Sequence, residues 1–152
     1  MKIERMEVVG VNVTSLAKAV QFFSEVLEVE FQDFRLGGDI AVESRPVEYA
    51  DTNAVTSSGS TRIAIDPKGY LELIEVPDGD EGLRNVHFKV ADLEEAKAEM
   101  KRKGVRLVAE HKVGGVKEAI FHPDDVFGIR LCLIEYQAPS MIAALLEGRG
   151  KK

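Results

Sequence analysis

The chain has 152 residues, enough for one domain with a well-buried core and too few for two domains of usual size. Hydrophobic residues make up 45% and charged residues 30% of it, and no apolar run approaches the ~20 residues of a membrane-spanning helix. The formal net charge of -6 argues against nucleic-acid binding, because phosphate contacts require clustered Lys and Arg. A single cysteine excludes an intramolecular disulfide and a cysteine-rich zinc cluster.

The first residues mix positive and negative charges where a secretory signal peptide has a basic start followed by an apolar run. We therefore expect a cytoplasmic protein that contacts neither a membrane nor nucleic acid.

Alternating valines predict a first strand over residues 6–13, and Ser15 can cap the N-terminus of a helix that extends to Glu28. The apolar side chains of that helix recur at helical spacing and are Leu16, Ala19, Val20, Phe23, Val26 and Leu27. No glycine ends the helix, so Glu28 stands where a left-handed residue is usual. Further strands are predicted near 29–35, 61–66 and 70–76. The polar connection over 37–60 is long enough to carry a short strand or a lid.

Residues 77–82 form a turn-rich joint, after which a strand over 84–90 is predicted. Asp92 can cap the next helix, and Gly104 can end it after Lys103. The remaining elements are strands at 105–110, 116–122 and 127–136 and a short helix at 139–147. We expect that last helix to cover the sheet or a partner subunit.

Two sequence matches relate the halves of the chain. VTSLAKA at 13–19 matches VADLEEA at 90–96 in its valine, its leucine and its last alanine, with a small polar cap before each leucine. LELIE at 71–75 matches LCLIE at 131–135 at four of five positions. The repeat predicts one domain over 1–138 with two modules, 5–76 and 83–137, followed by a C-terminal helix and basic tail over 139–152.

The repeat also predicts which side chains meet. A sheet that packs helices on one face can curve around a ligand with its other face. If the leucines on either side of Glu72 pack under the helix, Glu72 points into the hollow. Cys132 takes the same position in the second module, and Val8 corresponds to Asn85 on the two opening strands. These four positions are predicted to converge around a pseudo-twofold axis.

The paired units resemble the vicinal oxygen chelate superfamily of glyoxalases, bleomycin-resistance proteins and dioxygenases over roughly residues 5–137. VVGVNV at 8–13 and FFSEVL at 22–27 are similar to its opening strand and helix, and FHPDDVFGIRL at 121–131 is similar to the closing hairpin of methylmalonyl-CoA epimerases. The resemblance implies an α+β fold in which two βαβββ modules form a curved mixed sheet around a cleft, with the helices on the outer face. It also implies a homodimer and a small-molecule ligand.

Metalloenzymes of that superfamily carry a His on each opening strand and a Glu or Gln on each closing strand, which together hold a divalent ion. Those positions fall here on Val8, Asn85, Glu72 and Cys132, and Glu72 alone matches. Valine has no lone pair to donate, and sulfur is a softer ligand than carboxylate oxygen. We therefore expect no cofactor. The alternative is a divalent metal bound by Glu72 and His87, with or without Cys132, in an altered geometry. It is less favoured because His87 lies about 7 Å along the strand from Asn85, the family's ligand position.

Several of these residues have both a functional and a structural interpretation. Glu72 and His87 are candidate acid–base residues, but Glu72 could instead be paired with Arg130, and His87 could be a pocket histidine with satisfied hydrogen bonds. Cys132 is predicted to be a small buried hydrophobe rather than a nucleophile. The ligand-binding candidates are Asn12, Tyr70, Asn85, Arg130 and Cys132. HPDD at 122–125 is interpreted as a turn, and His111 is expected to be solvated in a turn over 110–115.

These observations leave two leading functions. The first is a glyoxalase/bleomycin-resistance-like protein with a degenerate metal site, which binds a small organic ligand in the cleft without a metal. The second is a divergent epimerase, lyase or isomerase in which Glu72 and His87 transfer a proton next to a carbonyl, with or without a divalent metal. A structural dimer module is a further alternative. Whether the chain is an enzyme is left open by the sequence.

Overall fold

A computed structural model describes residues 1–46 and 61–147 of the chain. Within them the elements in chain order are β1 (Ile3–Val13), α1 (Leu16–Leu27), β2 (Gln32–Leu36), β3 (Val42–Pro46), β4 (Thr61–Ile65), β5 (Leu71–Glu75), β6 (Gly82–Val90), α2 (Leu93–Arg102), β7 (Leu107–Val113), β8 (Val116–Phe121), a 3-10 turn (Pro123–Asp125), β9 (Leu131–Glu135) and α3 (Met141–Leu146). None of these helices is long and apolar enough to cross a membrane.

The strands form one mixed sheet in the order β2-β4-β5-β1-β6-β9-β8-β7-β3. β1 and β6, the opening strands of the two halves, pair antiparallel at its centre. Each opening strand has the closing strand of its own half as its other neighbour, in a parallel pair: β1 with β5 and β6 with β9. The two halves therefore repeat the same arrangement, and the predicted α+β fold of two modules is confirmed.

The connection after β2 supplies one strand that the repeat does not contain. β3 pairs antiparallel with β7, at the far edge of the second half, although it follows β2 directly in the chain. The chain thus crosses from one edge of the sheet to the other, which makes the sheet nearly closed. Of the short strand or lid that this connection is long enough to carry, a short strand is present, and residues 47–60 of the connection lie outside the described residues.

Helices α1 and α2 begin at corresponding caps. Ser15 accepts a hydrogen bond from the backbone N–H of Lys18, and Asp92 accepts one from that of Glu95. The repeated glutamates of the closing strands complete the caps, since Glu75 accepts from the N–H of Leu16 at 2.8 Å and Glu135 accepts from that of Leu93 at 2.9 Å. Each carboxylate satisfies a free N–H at a helix N-terminus and binds the helix to its sheet. Glu28 follows α1 in the left-handed conformation, with φ 54°.

The outer and inner faces of the sheet are covered by different helices. On the outer face, α1 packs with Val13, Ala64 and Leu73, and α2 packs with Val90, Phe121 and Leu133. The helices were predicted on the outer face, and for α1 and α2 that prediction is correct.

The C-terminal helix α3 lies on the inner face instead. Its buried residues Met141, Ala144 and Leu145 belong to the same apolar cluster as Val8 and Ile134. The turn between β7 and β8 permits this approach, because a Cβ at Gly114 would lie 2.4 Å from the carbonyl oxygen of Leu145. The N–H of Gly115 donates to the carbonyl oxygen of Ala144 at 2.7 Å. The C-terminal helix therefore closes part of the hollow from inside.

Candidate functional site

The inner face of the sheet and α3 surround a cavity of about 90 Å³. Most of its wall is apolar, contributed by Leu36, Val42, Ile63, Ile74, Val113, Val116, Ile120, Ile134, Met141 and Leu145. The polar side chains that line it are Thr61, Glu72, Arg84, Asn85, His87, His111 and Glu118. The cavity is thus amphipathic, with several ionisable groups facing an otherwise hydrocarbon surface.

Strand alternation explains how the sequence places these groups. Leu73 packs beneath α1 on the outer face, so its neighbour Glu72 faces the cavity, as predicted. Asn85 and His87 alternate along β6 and both line the cavity. Glu118 lies on β8 between two apolar cavity residues of the same face, Val116 and Ile120.

His87 and Glu118 form a largely buried pair in which His87 Nε2 lies 3.0 Å from Glu118 Oε2. Burial lowers the pKa of His87, but Cys132 and Glu118 outweigh it and raise that pKa well above its ordinary value. Burial also raises the pKa of the Cys132 thiol, so Glu118 is the anion that favours a proton on His87 near neutral pH. The bond to His87 in turn overcomes burial and lowers the pKa of Glu118.

Cys132 lies beside this pair. It is the register partner of His87 in the parallel pairing of β6 and β9, and it is fully buried. One ligand atom from each of His87, Glu118 and Cys132 lies within 4.8 Å of the other two. The second ring nitrogen of His87, Nδ1, is buried and makes no hydrogen bond of ordinary geometry with the described residues, although the thiol interacts with the ring. The complete burial of Cys132 agrees with the prediction that this residue is a small buried hydrophobe.

Glu72 lines the same cavity, close enough to His87 and Glu118 for their charges to act on its pKa. Burial raises its pKa, while the positive charges of His87 and Arg84 act in the opposite direction. Arg84 is largely buried and donates a hydrogen bond to Asn12 Oδ1 at 3.1 Å. Arg84 is therefore a cation whose charge acts on Glu72.

His111 was expected to be solvated in a turn, and that expectation is wrong. It lies in β7, where hydrogen bonding to β3 on one side and β8 on the other holds it in the sheet. His111 Nδ1 is 2.9 Å from Ser44 Oγ, and burial lowers the pKa of the imidazole. The turn begins only at Gly114, because the strand continues through Val113.

The four positions at which related metalloenzymes carry their ligands do not form such a site here. Val8 is fully buried among aliphatic side chains. Asn85 Oδ1 lies 2.1 Å from the point that a Cβ on Gly10 would occupy, and it is buried without a hydrogen-bond partner among the described residues. Glu72 and Cys132 remain as one carboxylate and one thiol. The side chains present therefore do not fit the conventional ion, which requires two imidazoles and two oxygen ligands.

The remaining predicted ligand-binding residues lie outside the cavity. Asn12 and Arg130 line a groove that adjoins it, and the groove shares Arg84 and Asn85 with the cavity wall. Tyr70 does not line the cavity, and its side chain is 62% exposed, because it precedes β5 in a turn rather than continuing the strand alternation. It is therefore not placed to contact a ligand held in the cavity.

Sequence reasoning missed Glu118 and Arg84. Alternation along VKEAIF at 116–121 puts Glu118 on the face of Val116 and Ile120, which was the available signal. Arg84 gave no such signal, because it adjoins Asn85 and strict alternation would place the two on opposite faces.

The HPDD segment is structural, as predicted. His122 accepts a hydrogen bond from the backbone N–H of Asp124 at the start of the 3-10 turn. Asp125 receives hydrogen bonds from the backbone and guanidinium of Arg106, which lower the pKa of its carboxyl to about 2.

The model of the Glyoxalase/Bleomycin resistance protein/Dioxygenase superfamily matches residues 5–133. No curated protein sequence matches the chain.

Among solved structures, a Streptomyces coelicolor methylmalonyl-CoA epimerase variant in complex with 2-nitronate-propionyl-CoA is similar with a TM-score of 0.63 and 19% identity, over 90% of this chain and 100% of that one. Methylmalonyl-CoA epimerase from Mycobacterium tuberculosis has a TM-score of 0.64 and 18% identity, over 93% of each chain. A hypothetical protein of Bacillus halodurans C-125 has a TM-score of 0.62 and 19% identity, over 90% of this chain and 96% of that one. At these identities the likeness establishes the fold.

Proposed function

Because the chain belongs to the Glyoxalase/Bleomycin resistance protein/Dioxygenase superfamily, we propose that it binds a short carbonyl- or carboxylate-bearing organic ligand in its internal cavity. The observation that carries this proposal is the amphipathic lining of the cavity. Arg84, Asn85 and His87 offer hydrogen-bond donors at one end, and the aliphatic wall formed with α3 offers an apolar surface.

The size of the cavity limits the ligand class. Pockets for drug-sized molecules occupy about 300–1,000 Å³, whereas this cavity is about 90 Å³. A short acyl or 2-oxo acid group is therefore the better match for the cavity itself. The adjoining groove, reached past Arg84 and Asn85, provides room for the remainder of a longer ligand. The Streptomyces coelicolor structure is a complex with an acyl-CoA compound, 2-nitronate-propionyl-CoA. A thioester of that kind would place its acyl end inside the cavity and its larger part in the groove.

Calorimetric titration of the purified chain with short 2-oxo acids and branched acyl thioesters tests this proposal. Val113→Leu adds a methylene group to the cavity wall, and Val105→Leu adds the same group in the cluster beneath α2. We expect the first variant to weaken binding at least about 5-fold, since overpacking costs ~1 kcal/mol or more, and the second to leave binding unchanged. Failure of every such compound to bind the unmodified chain, or equal effects of the two variants, would contradict the proposal.

A second candidate function is proton transfer next to the carbonyl group of the bound ligand. It is favoured by the presence of Glu72 and the His87–Glu118 pair on the wall of one cavity. The two carboxyls have opposite environments, since the pKa of Glu72 is raised and that of Glu118 is lowered. Separated pKa values of this kind suit one group to act as acid while another remains an anion.

Proton transfer is tested by the exchange of the α-proton of bound ligands for deuterium, followed by NMR in D₂O. We expect the Glu72→Gln variant to bind the ligand without exchanging its α-proton. Glu110→Gln is the matched control, because Glu110 pairs with Lys97 outside the cavity. Ligand binding without any exchange in the unmodified chain would leave binding as the function and exclude proton transfer for those ligands.

A further inference from the structure

His87, Glu118 and Cys132 bring three kinds of metal-binding group together from three strands. Each offers one ligand atom, an imidazole nitrogen, a carboxylate oxygen and a sulfur, and these atoms lie within 4.8 Å of one another. Tetrahedral zinc with bond lengths of about 2.0–2.3 Å holds its ligand atoms roughly 3.3–3.8 Å apart. Side-chain adjustments of about an ångström would therefore bring the set to bonding distance.

The backbone fixes the relative placement of these residues. His87 and Cys132 are register partners on β6 and β9, and β8 pairs with β9 on the other side. Glu118 reaches across β9 toward His87, and their contact of 3.0 Å shows that the two side chains already meet. A site built on adjacent strands of one sheet is held more rigidly than one built on loops.

We propose that His87, Glu118 and Cys132 form a three-ligand zinc site, which differs in its ligands from the site that the family resemblance implies. A nitrogen, an oxygen and a sulfur ligand together suit zinc, whereas magnesium, calcium and manganese prefer oxygen ligands throughout. Three protein ligands leave a fourth position free, as in catalytic rather than structural zinc sites. His87 and Glu118 line the cavity, so that fourth position faces the space where an organic ligand would lie.

The other charged groups at this end are compatible with the ion. Glu72 adds a negative charge and Arg84 a positive one, and both line the same cavity. Cys132 binds zinc as a thiolate, so its proton leaves when the metal enters. The metal site does not require the organic ligand, and either can be present without the other.

Cobalt(II) titration of the chelator-treated full chain is the decisive experiment. Cobalt takes the place of zinc and gives a thiolate-to-cobalt charge-transfer band in the near ultraviolet when sulfur is a ligand. Because Cys132 is the only cysteine in the sequence, the band identifies this residue without any substitution. We expect the band to saturate at one equivalent of cobalt and to disappear when one equivalent of zinc displaces it.

Substitutions then test the other two ligands. Glu118→Gln and His87→Gln should each weaken the affinity for cobalt more than ~100-fold, because even residues that only hydrogen-bond to a metal ligand contribute 10–100-fold to metal affinity. Glu110→Gln should leave the titration unchanged. Circular dichroism verifies that each variant is folded, and Cys132→Ala and Cys132→Ser provide two tests of the sulfur.

Three results would overturn the proposal. They are the lack of a charge-transfer band in the unmodified chain, stoichiometric binding that persists without Cys132, and binding that is lost with Glu72→Gln but kept with Glu118→Gln. The last result would assign the metal to a position nearer to that of the conventional family site. None of these titrations contains an organic ligand, so failure of the metal site and failure of the proposed ligand binding are separately observed.

Discussion

Replacing Leu145 by alanine tests the conclusion that α3 forms a wall of the cavity. Leu145 is 5% exposed, belongs to the inner apolar cluster and lines the cavity. Truncation of a buried leucine costs about 2–5 kcal/mol of unfolding free energy, and more when the space left behind is larger. Since one side of Leu145 already borders empty space, it loses fewer contacts, and we expect a cost of about 2–3 kcal/mol.

The same substitution should enlarge the cavity enough to change what it binds. An engineered apolar cavity of about 150 Å³ is large enough for benzene, and the present cavity of about 90 Å³ would be extended by the removed isopropyl group. We expect benzene to raise the thermal midpoint of Leu145→Ala and to leave that of the unmodified chain unchanged.

Urea unfolding monitored by circular dichroism measures the loss of unfolding free energy. Thermal unfolding with and without benzene measures the rise in the thermal midpoint. Leu83→Ala is the matched control, because Leu83 is 71% exposed and its truncation should alter stability by less than ~0.5 kcal/mol. Equal costs for the two variants would show that α3 does not occupy the hollow, and the placement of the cavity wall would be wrong.

Three further predictions concern the framework around the site. Tyr136 donates a hydrogen bond to the buried carboxylate of Glu7 at 3.0 Å, so Tyr136→Phe should cost about 1–2 kcal/mol in urea unfolding, whereas Tyr70→Phe at an exposed position should cost almost nothing. Burial and Glu7 raise the pKa of Tyr136 to about 12 from its usual 10.0, so stability should fall as the pH rises between these values, and ultraviolet titration should detect a late-ionising tyrosine. Glu28→Gly should stabilise the chain by about 0.5–1 kcal/mol at its left-handed position, whereas Gln21→Gly within α1 should destabilise it by about 1 kcal/mol; equal signs would refute the assignment.

The metal positions show how substitution within a family can change the chemistry of a site while the fold persists. Asn85 fills the space left by the missing side chain of Gly10, and Val8 joins the aliphatic core. Glu72 and Asn85, at two of the four family positions, still line the cavity, but its closest polar pair is His87 and Glu118, which lie outside that pattern. The four-residue pattern of the family therefore identifies only part of the polar lining of this cavity.

The sequence alone determined the repeat and, where the strands alternate regularly, the direction of their side chains. Local rules suffice for these features, because helix caps depend on residues three apart and strand faces on a period of two. Ser15, Asp92 and Glu72 were accordingly assigned correctly. The resemblance then supplied the arrangement of the two modules around a cleft.

Only the tertiary structure decided how the cleft is filled and which polar groups meet inside it. Strand β3 joins β7 across the sheet, which brings His111 next to Ser44. Helix α3 turns inward because the Gly114–Gly115 turn lets its backbone approach. Glu118 meets His87 only because β6, β9 and β8 are adjacent, a pairing between distant parts of the chain that no local pattern encodes. The shape and the chemistry of the cavity are therefore set by non-local contacts.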